Sequence, residues 1–425
     1  MSRVAAACLA AALAAACTHA RPFVRGPVGV ELPRPDAIEH RLLLIGDAGD
    51  PNPEGEPALD LLEKQVNLLP DRTTVVFLGD NVYETGMPDP TPAEGTAVEQ
   101  ILDEALLNLY ASRRDAERRV RAQVKAADVE GVRAIFIPGN HDWDQFGTGG
   151  WHRVQMQEQF VTQLRDVSKV DVQMQPTGGC PGPVSLPLGR RAQLIVLDTQ
   201  WWLEAGAKPS PEDNPTACPN VTEERVLAVL GEELRRAGAA GRTAVIAAHH
   251  PLETRGPHGG YLEPWVHLFP LVMAAEYVPF FVRWMPLPVL GSLAVWWRGS
   301  NSPSAQDLSS STNEHMRREL LATMEDAAGT ARPLVYAAGH DHSLQVFRRE
   351  RAPHYALVSG LGSQAKASSV RHARTSLFAH SNVAHPGLMK LDFLQNGRVR
   401  LGVVEWGVDT PDGVEVYSHF LEVER

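Results

Sequence analysis

The chain has 425 residues and a formal net charge of -11, and 44% of its residues are hydrophobic while 21% are charged. A chain of this length and composition can bury a large core, which excludes disorder of the whole chain. The excess of carboxylates over lysine and arginine argues against nucleic acid as a general partner, because phosphate backbones bind clustered cations.

The first segment in chain order, residues 1–20, has the composition of a secretion signal. A lone Arg3 precedes an alanine-rich apolar run that ends in small residues before Cys17, and such leaders are removed from the mature protein. The small residues before Cys17 also resemble a bacterial lipobox, in which this cysteine becomes the lipidated N-terminus. Lipidation and simple cleavage nearby both remain open. Either predicts an exported protein of the bacterial periplasm or envelope, and lipidation would add a peripheral lipid anchor.

Apolar, β-branched runs recur along the chain, and each gives way to glycine, proline, aspartate or histidine. The six runs before residue 342 are Leu42–Ile45, Thr74–Leu78, Ala134–Ile137, Leu194–Leu197, Ala244–Ala247 and Leu334–Ala337. Continuous runs of this kind are typical of strands buried on both faces. Between them, apolar residues recur at helical spacing in three stripes: Ile101, Ala105 and Leu109; Val226, Leu230 and Leu234; Met316, Leu320 and Met324. Alternating strands and helices predict an α/β fold.

Two cysteines and a hydrophobic insert interrupt this alternation. A disulfide between Cys180 and Cys218 would close a long loop, and two unpaired cysteines are the alternative. The insert lies at about residues 262–300, and its Trp265 to Arg298 segment is apolar and rich in tryptophan. Its prolines and interior charges argue against a membrane-spanning helix. A hairpin at a membrane surface, a hydrophobic wall beside a functional site and ordinary core packing remain as alternatives.

Beyond His342 the pattern changes to strands with no helix between them. These later runs are Tyr355–Ser359, Met389–Phe393, Val399–Glu405 and Val414–Val423. They predict a second, more antiparallel sheet. No internal repeat and no clear linker divides the chain, so we expect a single domain over residues 38–425.

Five short motifs end five of the apolar runs, and together they supply donors for two metal ions. They are Gly46-Asp47-Ala48-Gly49, Gly79-Asp80-Asn81-Val82-Tyr83, Gly139-Asn140-His141-Asp142, His249-His250-Pro251 and Gly339-His340-Asp341-His342. Ligands at strand ends are fixed on rigid elements yet face solvent, which hydrolytic ions require. A carboxylate can bridge two ions, while asparagine oxygens and imidazole nitrogens complete the coordination. The motifs therefore predict a dinuclear metal centre.

The ordered motifs resemble those of the calcineurin-like metallophosphoesterases. Most members carry Asp-x-His in the first motif, whereas this chain has Asp47-Ala48-Gly49 and carries Tyr83 three residues after Asp80. That exchange resembles the purple acid phosphatases, in particular the small, mammalian-type members, over roughly Arg41 to Phe347. The resemblance implies a two-sheet αββα sandwich of the metallophosphoesterase type, with the active-site motifs on loops at strand ends.

The resemblance also implies which residues hold each ion. The first site would bind iron(III) through four residues: Asp47, Asp80, Tyr83 and His342. The second would bind iron(II), zinc or manganese through the bridging Asp80 and three more residues: Asn140, His249 and His340. A phenolate suits a hard trivalent ion, and imidazoles suit a borderline divalent one. The pairing of tyrosine with iron predicts a purple protein. In His249-His250-Pro251 the first histidine matches the family's ligand, so the resemblance implies only a supporting role for His250.

Three further residues are expected beside a bound phosphate. His141 would bind the ester oxygens or protonate the leaving alcohol, with Asp142 beside it to orient and charge the ring. His258 lies where small purple acid phosphatases carry a histidine near the substrate, and a solvent-facing loop histidine is the alternative. The reaction implied is hydrolysis of a phosphomonoester by a metal-activated hydroxide.

Two rival functions remain open. A phosphodiesterase or lipid-phosphate hydrolase would use the apolar insert to seat an acyl chain near the site. A non-catalytic, metal-containing envelope binding protein would serve as a receptor or scaffold through the Trp265 to Arg298 surface. This surface and a lipidated Cys17 are the candidate contacts with a membrane.

Overall fold

Two β-sheets pack face to face in this protein, and helices cover their outer faces. The computed structural model describes residues 22–26, 29–89, 99–145, 147–211, 218–274, 278–329, 332–363 and 367–423, without the side chains of 99–108 and 273–274. The predicted leader and Cys17 lie outside the described residues.

The strands divide into a sheet of eight and a sheet of seven. In chain order they are β1 (Phe23–Val24), β2 (Ile38–Ile45), β3 (Thr73–Phe77), β4 (Arg133–Phe136), β5 (Asp171–Met174), β6 (Val184–Leu188), β7 (Ala192–Val196), β8 (Thr243–Ala247), β9 (Val335–Ala338), β10 (Leu344–Arg348), β11 (Tyr355–Ser359), β12 (Ser376–His380), β13 (Gly387–Leu394), β14 (Val399–Gly407) and β15 (Thr410–Leu421). The orders are β1-β12-β10-β11-β9-β8-β7-β6 and β15-β14-β13-β2-β3-β4-β5. Both sheets mix parallel and antiparallel pairs.

The helices lie outside the two sheets. In chain order they are α1 (Pro57–Asn67), α2 (Glu99–Ala126), α3 (Gly150–Arg165), α4 (Gln200–Leu203), α5 (Glu223–Ala239), α6 (Pro264–Leu268), α7 (Phe280–Arg283), α8 (Pro288–Ser300) and α9 (Ser311–Ala327). Helix α1 contacts the seven-stranded sheet at β13, β14 and β15, while α5 contacts the eight-stranded sheet at β7 and β8. One buried apolar cluster contains side chains of both sheets and of no helix, such as Leu44, Val76, Val245 and Val335. The predicted two-sheet αββα sandwich is therefore confirmed.

Two of the three predicted apolar helix stripes consist of buried side chains. The stripes of α5 and α9 are buried throughout, because α5 packs on β7 and β8 and α9 packs on α5, while both helices turn their polar residues outward. The stripe at Ile101, Ala105 and Leu109 falls in α2, where the first two side chains lie outside the described residues.

The strands after His342 do not form a sheet of their own, contrary to the prediction. Strands β10, β11 and β12 join the eight-stranded sheet, and β13, β14 and β15 join the seven-stranded sheet. The reason is long-range pairing. Asp392 of β13 lies opposite Arg41 of β2, and its two carboxylate oxygens accept hydrogen bonds from Arg41 Nε and Nη2 at 2.6 and 3.1 Å. This buried ion pair fixes β13 beside the first parallel strand.

The remaining predicted features concern the cysteines and the insert. Cys180 and Cys218 form a disulfide, which decides between the two alternatives that the sequence left open. The hydrophobic insert forms α6, α7 and α8 and contributes no strand within its described residues. Among the helices that the structure describes, none has the length and hydropathy needed to cross a bilayer.

Candidate metal centre

The five motifs meet where parallel strands of the two sheets end. Asp47, Asp80 and Asn140 follow β2, β3 and β4 of the seven-stranded sheet, and these three strands are parallel neighbours. His249 and His340 follow β8 and β9, which are parallel neighbours in the eight-stranded sheet. Because carboxyl ends of parallel strands align, each sheet delivers its polar residues to one edge, and packing of the sheets brings the two edges together.

The backbone at three of these positions is strained. Asp47, Asp80 and His340 have φ angles of 59°, 54° and 71°, a left-handed conformation that costs free energy for residues with a side chain and that concentrates at functional sites. Gly79, which precedes Asp80, has a φ of 91°, and a Cβ there would lie 2.4 Å from Nδ1 of His249. The glycine-aspartate pair therefore makes room for the imidazole as well as for the turn.

One group of candidate ligands consists of Asn140, His249 and His340. Asn140 Oδ1 lies 2.9 Å from His249 Nε2 and 3.0 Å from His340 Nδ1, and the two nitrogens are 3.2 Å apart. The other nitrogen of each ring donates to a carbonyl, His249 Nδ1 to Leu78 O at 2.8 Å and His340 Nε2 to Gln306 O at 3.1 Å. At most one hydrogen, on His249 Nε2, can therefore lie among these three atoms. A cation fits this arrangement, because it supplies the missing positive charge.

The second group consists of Asp47, Tyr83 and His342 with Asp80. Tyr83 Oη lies 3.2 Å from Asp47 Oδ1, 3.2 Å from Asp80 Oδ2 and 3.1 Å from His342 Nε2. One phenolic proton can satisfy only one of these acceptors. Burial, together with the Asp80 and Asp47 carboxylates, raises the pKa of Tyr83 well above its usual value. A phenolate at this position therefore requires a cation beside it.

Asp80 lies between the two groups and faces each with a different oxygen. Its Oδ2 contacts Tyr83 Oη, whereas its Oδ1 lies 3.4 Å from His249 Nε2. Burial opposes the charge on Asp80, but the His249 and His141 imidazoles hold its pKa below the usual range. A charged carboxylate with one oxygen toward each group has the geometry of a bridging ligand.

His250 lies behind these ligands. Its Nδ1 is 2.9 Å from Thr199 Oγ1 and its Nε2 is 2.6 Å from Gln306 Oε1, so both ring nitrogens are hydrogen-bonded. Its ring packs 4.5 Å from that of His340. Burial and the neighbouring His249 keep the pKa of His250 well below its usual value. A neutral, hydrogen-bonded ring agrees with the supporting role expected for this residue.

His141 and Asp142 occupy different environments. His141 donates from Nδ1 to the carbonyl oxygen of Glu84 at 2.6 Å, and its Nε2 lies 3.9 Å from Asp80 Oδ2. The Asp142 carboxylate is fully buried and accepts from the amide nitrogens of Asn81, Val82 and Gly139 at 2.8 to 3.2 Å. Asp142 therefore holds the Asp80 loop against the Asn140 loop. The Glu84 carbonyl, not Asp142 as expected, orients the His141 ring.

His258 lies beside the centre and connects it to the hydrophobic insert. Its ring packs 4.0 Å from the ring of His340, and its Nδ1 is 2.9 Å from Asp307 Oδ1. Arg298 donates to the same carboxylate from Nε and Nη2 at 2.8 and 3.0 Å. The sequence motifs gave no indication of Asp307 or of Gln306, since both lie within a short serine-rich connector, residues 300–311. An isolated carboxylate in that connector is the one signal that could have drawn attention to them.

The fold has similar solved structures, although no family model matches the chain and no curated protein matches it in sequence. One is GAP50, the anchor in the inner membrane complex of Plasmodium, with 16% sequence identity over 91% of this chain and 90% of that chain and a TM-score of 0.51. Another is a dimetal phosphatase from Danio rerio, with 11% identity over 91% of this chain and 100% of that chain. The TM-score of that comparison is 0.41. The likeness to GAP50 shows a shared fold and nothing about activity.

Proposed function

We propose that this protein is a metal-dependent phosphoester hydrolase, and that it acts as a phosphomonoesterase resembling the purple acid phosphatases. The observation that carries the proposal is the meeting of two groups of oxygen and nitrogen ligand atoms that share Asp80. Two neighbouring cations would satisfy both groups at once. Paired ions of this kind support hydrolysis of phosphate esters in many enzymes.

The donor chemistry favours a different ion at each position. Asp47, Asp80, Tyr83 and His342 would hold iron(III), because a hard trivalent ion stabilises the phenolate that the carboxylates disfavour. The other group, with one carboxylate, one amide oxygen and two imidazoles, would hold iron(II), zinc or manganese. When bound, the ions would neutralise phosphate charge and supply a nucleophile at neutral pH.

The histidines beside the two groups would bind the phosphate and move the proton. Hydrolysis breaks the ester P–O bond and adds the elements of water, so the departing alcohol oxygen needs a proton. The Nδ1–H of His141 is held by Glu84, which leaves Nε2 facing the centre to donate that proton. His258 offers a second imidazole beside His340, where it would bind a phosphate oxygen.

Replacement of Tyr83 by phenylalanine tests the proposal. We expect Tyr83→Phe to lose the purple absorption and at least about tenfold in turnover of a soluble aryl phosphomonoester, because the iron loses its phenolate. The measurements are metal analysis, a visible spectrum and steady-state rates on protein purified from its own host. The half-exposed Tyr110 provides the matched control, Tyr110→Phe, which should change neither. A variant that stays purple would exclude Tyr83 as the ligand, and parent protein without bound metal would refute the centre itself.

Two alternatives are favoured by particular observations. The exposed apolar insert, joined to His258 through Asp307, favours hydrolysis of a lipid phosphate or a diester. GAP50 is described as an anchor, so a protein of this fold can serve as a scaffold. Comparing the rates of hydrolysis of an aryl monoester, an aryl diester and a lipid phosphate distinguishes a phosphomonoesterase from a diesterase or a lipid-phosphate hydrolase. Metal bound with no turnover of any of the three would favour a non-catalytic binding protein.

We also propose that the protein is exported. The Cys180–Cys218 disulfide supports an oxidising compartment such as the bacterial periplasm or envelope. A cleaved leader and a lipidated Cys17 would agree with that location, and mass spectrometry of the mature N-terminus distinguishes simple cleavage from lipidation.

A further inference from the structure

The hydrophobic insert presents a cluster of apolar side chains to solvent. Six of them are more than half exposed, and we call them the apolar platform: Phe280, Phe281, Val289, Leu290, Leu293 and Trp296. Across the described chain, eleven large apolar side chains exceed half exposure, so these six make up most of them within 17 residues. The other five lie far apart in the sequence. Isolated exposed apolar residues are usual on a protein surface, whereas a concentration of them marks an interaction site.

The arrangement of α8 shows that the exposure belongs to one helix face. Val289, Leu290, Leu293 and Trp296 recur at intervals of one, three and four residues, so they share one side of the helix. Gly291 and Val295 are buried on the other side. A surface helix of a soluble protein usually turns polar residues to solvent, and α8 turns apolar ones. This face therefore requires a covering partner.

A chain of contacts fixes the platform to the metal centre. Arg298, in the last turn of α8, donates two hydrogen bonds to Asp307, which in turn contacts His258 beside His340. Helix α8 rises about 1.5 Å per residue, so its whole exposed face lies within roughly 20 Å of Arg298. A partner on the platform would therefore be held close to the metal centre.

The charge and composition of the segment favour a lipid bilayer as that partner. Between Trp265 and Arg298 the sequence has one carboxylate, Glu276, against two arginines, although the chain as a whole carries a net charge of -11. Tryptophan and phenylalanine are the side chains that favour the boundary between lipid and water. A face depleted of carboxylates and rich in aromatic residues is suited to enter that boundary.

We propose that the apolar platform inserts into the surface of a lipid bilayer and presents the metal centre to the phosphate esters of membrane lipids. This substrate class rests on the proposed phosphoester hydrolase function, whereas membrane docking by the platform does not. Since the protein is acidic and the contact is apolar, docking is driven by burial of side chains and depends little on salt.

Co-sedimentation with phosphatidylcholine vesicles tests the docking. The parent protein is the full chain with Cys17→Ser, so that a lipid on Cys17 cannot contribute to binding. Two double variants are made in that background: Phe280→Ser with Phe281→Ser, and Leu293→Ser with Trp296→Ser. We expect each pair to lower vesicle binding at least about tenfold, at low and at high salt. The matched control replaces Val167 and Val408, which are equally exposed elsewhere, by serine and should bind as the parent does.

Two rate measurements separate the docking from the proposed function. We expect the platform variants to hydrolyse a soluble aryl phosphomonoester at the parent rate and phosphatidate in vesicles at least about tenfold more slowly. Absence of hydrolysis in the parent would refute the proposed function and leave the docking to be decided by sedimentation. Equal vesicle binding by parent and platform variants would overturn the docking. A parent that ignores vesicles but forms dimers, which both serine pairs abolish, would overturn it in favour of a second copy on the platform.

Discussion

At the scale of single residues, neighbouring imidazoles in the metal centre differ in charge because their surroundings differ. Burial disfavours charge on both His249 and His340. The Asp80 carboxylate nevertheless raises the pKa of His249 to about 9, whereas burial and the adjacent histidines keep the pKa of His340 well below its usual value. A metal at this position must therefore displace a proton from His249 alone, so binding of the ion should become stronger as pH rises.

His40 gives a residue-scale prediction outside the metal centre. It lies on β2 with Nε2 3.0 Å from Thr74 Oγ1, and burial, aided by the Arg133 charge, lowers its pKa from 6.5 to about 4. Between these two values the unfolded chain binds a proton that the folded chain does not. The contribution of His40 to the free energy of unfolding is therefore complete above pH 6.5 and is lost as pH falls toward 4.

Urea unfolding of the parent and of His40→Gln at pH 7, 6, 5 and 4.5 measures this loss. We expect the free energy of unfolding of the variant to fall less between pH 6.5 and 4, since its amide binds no proton. The largely exposed His152 supplies a control, His152→Gln, which should follow the parent. Parallel profiles for His40→Gln and the parent would mean that His40 is protonated in the folded protein.

At the scale of secondary-structure elements, a disulfide and an ion pair connect segments that are far apart in the sequence. The disulfide joins the segment before β6 to the segment before α5, and it encloses the β6–β7 hairpin at the edge of the eight-stranded sheet. The Arg41–Asp392 pair joins β2 to β13 across most of the sequence. Each link connects two segments that are far apart in the sequence, so local helix and strand patterns could not predict that these segments meet.

Removal of the disulfide should destabilise the fold. The bond spans 38 residues, and loss of a crosslink of that length increases the entropy of the unfolded chain by an amount worth roughly 3 to 4 kcal/mol. We expect the free energy of unfolding of the Cys180→Ser, Cys218→Ser protein to be lower by that amount, so that it unfolds at a lower urea concentration. Its aryl phosphatase activity should be retained below the unfolding transition. Addition of a reductant to the denaturation buffer should lower the stability of the parent and leave the serine protein unaffected. Equal stability of the two proteins would show that the bond contributes nothing.

At the scale of the whole molecule, the metal centre joins the two sheets. The carboxylates and Asn140 come from the seven-stranded sheet, and three histidines come from the eight-stranded sheet: His249, His340 and His342. Each ion would take ligands from both sheets. Bound ions would therefore act as links between sheets as well as catalysts.

Chelation should reveal this link in the thermal stability of the whole protein. Ions present at about a thousand times their dissociation constant add roughly 4 kcal/mol to the free energy of unfolding, which for a chain of this size corresponds to a Tm about 5 °C higher. We expect removal of metal by a chelator to lower the Tm by that amount, and readdition of metal to restore it. The Asp80→Ala protein is the control and should not respond. A chelator shift of the same size in Asp80→Ala would locate the stabilising ion elsewhere.

The sequence alone determined the features that depend on neighbouring residues. Apolar runs such as Thr74–Leu78 predicted buried strands, and the glycine-aspartate and glycine-histidine pairs that follow them located the candidate ligands. Local order suffices there, because a strand ends where polar residues and a left-handed turn begin. The runs missed were short strands near sheet edges, such as β5 and β6, whose fewer apolar residues give a weak pattern.

Only the tertiary structure decided the features that depend on residues far apart in sequence. It placed β13 beside β2, gave Asp142 to the loop of Asn81 instead of the His141 ring, and brought Asp307 to His258. It also turned the apolar face of α8 to solvent, where the sequence left a hairpin at a membrane surface, an active-site wall and core packing open. The physical reason is that hydrogen-bond partners and buried faces are chosen among all segments at once when the sheets pack, so no local window of sequence contains that choice.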